Sequence, residues 1–119
     1  MNPSFARAAQ LRLLERSALI DSTATGAVFS PDHAYRYTLW RRWSPRRPMC
    51  NWIMLNPSTA DEYKNDPTVE RCERRARQWN YGGLIVTNLF AWRATDPEHM
   101  KAAVSPVGPE NNLHILTQA

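Results

Sequence analysis

Two mostly apolar runs, Met49–Leu55 and Leu84–Phe90, stand on either side of the best-marked helix in the chain. That order limits the available folds more than any other feature. Each run is short and bounded by turn residues, the pattern of a buried strand. Between them Asp66 is a natural N-cap and Pro67 takes the first helical position. Val69, Cys72, Ala76 and Trp79 then fall on one face, Arg71, Arg74, Arg75 and Arg77 fill the rest, and Gly82-Gly83 marks the stop. A strand, a helix and a strand in that order predict a right-handed crossover between parallel strands.

Upstream, Ala27–Ser30 reads as a strand and Pro31-Asp32-His33 as a turn. Tyr35–Trp43 mixes aromatic residues with arginine, as a strand with one wet face does, and completes a β-hairpin. Downstream, Asp96-Pro97 repeats the cap-and-proline signal before a short helix over Glu98–Val104, and a last helix begins at Pro109. The expected class is α/β with a mixed sheet, an N-terminal β-hairpin followed by a parallel strand–helix–strand unit, in the form of an incomplete three-layer fold. Its 119 residues suffice for one small domain. Residues 1–24 read as a peripheral helix over Phe5–Ile20 plus a linker, and residues 25–119 as the core. The chain stops at Thr117-Gln118-Ala119, inside a helical pattern with no stop signal, so a C-terminal truncation is expected.

Ligands of open α/β sheets bind beyond the carboxyl ends of parallel strands. Both predicted strands end there in asparagine-bearing loops, the first carrying Asn56, Ser58, Thr59, Asp61 and Asp66, the second Asn88, Arg93, Thr95 and Asp96. A crossover sets both loops on one edge, which makes a pocket. Asparagine is donor and acceptor without charge, as reading a nucleobase edge or placing a water requires. The helix start near Pro67 favours anions, and Arg93 offers a bidentate phosphate contact. Asp66 and Asp96 are helix caps first. Trp40, Trp43 and Trp92 lie beside basic residues and are candidates for stacking on bases.

The charge balance agrees, with 15 Lys+Arg against 11 Asp+Glu and a net charge of +4, nearly all of the positive charge being arginine. Cys50 and Cys72 form no CxxC and no zinc spacing, and read as two reduced thiols. No signal peptide and no membrane-length apolar run is visible, so a soluble cytoplasmic protein is expected, with no membrane partner. No cofactor motif is present. Asp61, Asp66, Asp96 and Glu110 are a weak magnesium-ligand set of unspecific spacing.

The segments "MLNPSTAD", "NDPTVERC", "YGGLIVTNLFAWRATDP" and "VGPENN" together resemble an uncharacterised bacterial family, DUF1643, from about Tyr35 to the end. Members of that family continue through another strand–helix–strand portion. More distantly, Asn56-Pro57-Ser58 is similar to the first motif of the mismatch-specific uracil-DNA glycosylases, whose asparagine helps position the attacking water. That likeness implies such a role for Asn56. The glycine those enzymes carry after the proline is Ser58 here, and their late histidine motif is missing.

The leading expectation is binding of a nucleotide or nucleic acid in this pocket, with glycosylase-like hydrolysis as its catalytic form. Asn56 or Asp61 would place the water, and Ser58, Thr59, Asp66, Asn88, Arg93, Thr95 and Asp96 would hold the ligand. The alternatives are a metal-dependent phosphohydrolase or nuclease using Asp61, Asp66 and Asp96, and a non-catalytic binding protein or inactive fragment.

Overall fold

A computed structural model describes residues 24–118. The helix expected over Phe5–Ile20 lies outside the described residues. The strands are β1 (Thr25–Phe29), β2 (Arg36–Arg42), β3 (Met49–Met54) and β4 (Gly83–Asn88), and the helices are α1 (Pro67–Gln78), α2 (Pro97–Lys101) and α3 (Asn111–Gln118). They form one four-stranded mixed sheet in the order β1-β2-β4-β3. β1 and β2 are the predicted hairpin, β2 continues antiparallel onto β4, and β3 runs parallel to β4 across α1.

Strand pleating sends successive side chains to opposite faces. Leu84 and Val86 of β4 join Leu39, Val69 and Cys72 under α1, while Ile85 packs with Val28, Tyr37, Trp40 and Ala91 on the other face. On that second face α3 packs against β2 and β4, its buried His114 bonded to Thr38 Oγ1 at 2.9 Å and stacked on Tyr37. Each face of the sheet therefore carries a helix, and β4 runs through the middle with only Ile85 less than fully buried, while Asn51 and Ile53 of the edge strand β3 stay exposed.

One break in the alternation matters. Val28 pairs with Thr38 and Phe29 with Arg36, so Tyr37 is a β-bulge. A bulge reverses the parity beyond it. Without it Arg36 would share a face with Thr38 and Trp40; with it Arg36 points to the α1 side, beside Leu39.

α1 begins as predicted, with Asp66 capping Val69 N, but ends sooner. Trp79 is its C-cap, and Asn80 turns the chain at φ 64°. Gly82 instead stands just before β4 and Gly83 opens it, and a Cβ on Gly82 would strike the carbonyl oxygens of Ser44 and Arg47. Trp79 is not on the buried face with Val69, Cys72 and Ala76; it is 54% exposed. The helix expected over Glu98–Val104 stops at Lys101, and the last one starts at Asn111 rather than Pro109. Among the described residues no helix is long and apolar enough to cross a membrane.

Candidate functional site

The two asparagine-bearing loops lie side by side at one edge, as the crossover requires. Past the last ladder pair, Met54 with Asn88, Leu89 N donates to Met54 O and Phe90 N to Leu55 O. Ala94 N donates to Pro57 O, Asn56 Nδ2 donates to Ala94 O at 2.8 Å, and the Ser58 and Thr95 hydroxyls are 3.0 Å apart.

Arginines hold the first loop by its carbonyls. Arg93 Nε donates to Ser58 O, Arg36 Nη1 to Ala60 O, and Arg41 Nη2 to both Asp61 O and Lys64 O. Arg41 also reaches Asn65 Oδ1 through Nε and Trp40 O through Nη1. A guanidinium suits this work because its fork carries several donors in fixed directions. Much of the loop's polarity thus fixes its own shape.

The same holds for its carboxylates. Asp66 is 5% exposed and accepts from Val69 N and Ala60 N, one amide on each oxygen. Asp96 accepts from Glu98 N and caps α2. Asp61 accepts from Tyr63 N and Lys64 N, and these Lys64 and Tyr63 amides hold its carboxyl below the ordinary 3.8. A pKa lowered by folding means that the bonds stabilise fully above about 3.8 and lose effect as pH falls through the lowered value. Asp61→Asn keeps the acceptor without titrating, so the stability lost between neutral and acid pH should shrink, as urea melts at the two conditions would show. Asp61, Asp66 and Asp96 do not converge, and among the described residues no group of three or more His, Cys, Asp or Glu side chains is placed to hold a metal ion.

Of the predicted site residues, Asn56, Ser58, Asp66 and Asn88 line one small hole, of about 30 Å³, joined by Arg36, Thr68, Val69 and Val86. Thr59, Asp61, Arg93, Thr95 and Asp96 lie outside its lining. Arg93 donates to His33 O as well as Ser58 O and lies over the Phe29 ring. Asn88 is the residue that the fold leaves unanswered. It is 1% exposed, its backbone oxygen takes a 2.7 Å bond from Asn111 Nδ2, yet neither Nδ2 nor Oδ1 of its own side chain has a partner. Arg36 is 2% exposed and its Nε is likewise unpartnered. Burial pushes the Arg36 guanidinium down to about 10, with Asp66 opposing and Arg93 and Arg41 reinforcing, which leaves it charged at neutral pH. Buried polar atoms are nearly always bonded, so these orphans are candidates to meet a ligand or water.

The hole adjoins a larger groove along Met54, Thr68 and Cys72. The groove encloses about 380 Å³, within the range of small-ligand sites, and its other walls are Trp52, Trp79, Arg71 and Arg75. The Trp52 and Trp79 rings are stacked, 5.9 Å apart and 10° from parallel, and Arg75 sits 5.5 Å from the Trp79 ring centre. On the rest of α1, Arg74 pairs with Glu70 and Arg77 with Glu73. Arg71 and Arg75 have no carboxylate partner among the described residues, so the groove faces the unneutralised charge of the helix.

The sequence reading missed this groove. It assigned stacking to Trp40, Trp43 and Trp92, but Trp40 is core at 1% exposure, Trp43 is covered by Arg77, and Trp92 meets Tyr35 edge-on. The signal was present in the spacing. Arg71, Arg75 and Trp79 recur every fourth residue, which makes one stripe on a helix. The Cys72 thiol beside them is pushed up by burial, which favours its protonated form.

The family model of DUF1643, a protein of unknown function, matches residues 36–119. No curated protein and no solved structure gives a significant match to the chain.

Proposed function

The chain belongs to the DUF1643 family, whose description leaves function open, and we propose from its site that it binds a nucleotide or a single-stranded nucleic acid along the α1–β3 groove. The observation that carries this reading is the pairing of exposed tryptophan with unneutralised arginine on one wall. A base has a π-face to lay on Trp79, and a phosphate takes guanidinium donors in pairs. The basic balance of the chain adds to the attraction.

Titration of labelled single- and double-stranded DNA and RNA at low and moderate salt tests it. Single strands should bind, and more weakly as salt rises. Trp79→Ala should weaken binding by roughly tenfold, the size of one lost stacking contact. Because Trp79 is half-exposed and caps the helix end, the variant should fold. Equal affinity in wild type and Trp79→Ala would remove the groove from the account.

Hydrolysis of a glycosidic bond is the second reading. Asn56 favours it, held by its Nδ2 at Pro57 O and Ala94 O while its Oδ1 is left to accept from a water. It predicts release of free base from uracil-containing or mismatched oligonucleotides; saturated binding with no base released would end it.

A further inference from the structure

We infer that the Arg36–Asn88 hole is a subsite for a terminal phosphomonoester, the phosphate that ends a mononucleotide or a nucleic-acid strand. This rests on the groove reading above and adds which part of the ligand enters the hole.

Size comes first. About 30 Å³ has room for roughly two water-sized atoms. The base and sugar cannot enter, nor can a whole phosphate; the outermost oxygens of a terminal phosphate seated at the mouth of the hole can. Val69, Val86 and Asn88 in its lining are buried, so a group held against them is one that ends a molecule.

Charge comes second. Arg36 is a buried cation whose Nη1 donates to a neutral carbonyl, Ala60 O, and whose Nε meets no acceptor. Asp66, whose charge offsets that of Arg36 in part, already has an amide on each oxygen. A buried charged group with an unmet donor is costly, and an anion that accepts from it recovers that cost. The Asn88 Nδ2 donor is unpartnered in the same wall.

Hydrogen-bond type comes third. The lining residues Asn88 and Asp66 also bring acceptors, the unpartnered Asn88 Oδ1 and the Asp66 carboxylate. The best occupant is an anion that can carry a proton of its own. A phosphomonoester does, since its second pKa is about 6. An internal phosphodiester has no such proton and accepts only. The bulge at Tyr37, which turns Arg36 toward this hole, and Asn88, set where the Leu84–Val86 stripe calls for an apolar side chain, are both departures from sheet regularity, and they meet here.

The test measures binding of inorganic phosphate, a nucleoside, its monophosphate, and short single strands carrying a phosphate at one end, the other end or neither. Each is run on wild type, Asn88→Asp and Trp79→Ala. Asn88→Asp places a carboxylate against the incoming anion; Asn88→Leu, which removes both hydrogen-bonding atoms without adding charge, serves if the aspartate variant fails to fold. The expected result is a preference of about tenfold to a hundredfold for the terminally phosphorylated ligand. Asn88→Asp should abolish that preference, and Trp79→Ala should keep it at lower overall affinity. Strands that bind through Trp79 with no preference for a terminal phosphate would overturn the subsite and leave the groove. Phosphate that stabilises the protein through Asn88, with no gain from an attached nucleoside, would support the subsite and overturn the groove. No binding of phosphate, nucleotide or strand would overturn both and leave water as the occupant.

Discussion

Asn88→Leu should melt at a higher temperature than the wild type while binding phosphorylated ligands at least tenfold more weakly. Most buried substitutions destabilise, so a gain at a 1%-exposed position is an unusual outcome. The reason is local. The Asn88 side chain brings a donor and an acceptor into the interior and bonds neither. An unsatisfied buried polar group costs on the order of 1–3 kcal/mol, and leucine has nearly the same branching without that cost. Leucine also continues the apolar stripe of Leu84 and Val86. A melting temperature raised by a few degrees, together with lost binding, is the signature of a residue kept for a ligand at the expense of stability. Calorimetry of the two proteins without ligand checks the first half. A lower melting temperature for the leucine variant would make Asn88 a structural residue.

Arg41→Lys should cost about 2–3 kcal/mol, since it removes charge-assisted bonds at a position 5% exposed. Arg41 ties Asp61 O, Lys64 O, Asn65 Oδ1 and Trp40 O together, and a lysine ammonium has neither the reach nor the fixed fork for all of these. For a domain of this size that is a fall in melting temperature of roughly 10 °C. The loss should be local before it is global. Hydrogen exchange at the Tyr63 and Lys64 amides, now held by Asp61 Oδ1, should quicken more than exchange in β4. Unchanged exchange in this loop would mean that its shape is set without the arginine.

The sheet and its site were unequally legible in the sequence. The crossover, the hairpin and the meeting of the two asparagine-bearing loops followed from apolar run lengths and from Asp66-Pro67, because those signals are local. Asn88 stood out for the same reason, as a polar residue ending an apolar run. Arg36 did not. Plain alternation places it with Thr38 and Trp40, and only the bulge at Tyr37, which depends on how β1 pairs with β2, turns it to the α1 side. The end of α1 was misplaced because Gly82-Gly83 imitates a helix stop, whereas those glycines are needed where β4 begins against the Ser44–Arg47 loop. The carbonyl-holding work of Arg41 and Arg93 has no sequence signature, since a backbone oxygen looks the same at every position. The groove was legible in principle. Glu70 and Glu73 stand four residues before Arg74 and Arg77, and no acid stands four before Arg71 or Arg75. That pattern separates the neutralised arginines from those free to face a ligand.

The central claim is that ligand lies along Trp52 and Trp79 with its terminal phosphate at Arg36 and Asn88. Amide and indole NMR shifts, followed while a terminally phosphorylated single strand is titrated in, test it most directly. The account predicts that the Trp52 and Trp79 indole N–H signals and the Asn88 side-chain amide move together and saturate at one concentration. Shifts confined to the Arg46–Arg47 loop, with the two indoles and Asn88 unmoved, would contradict it.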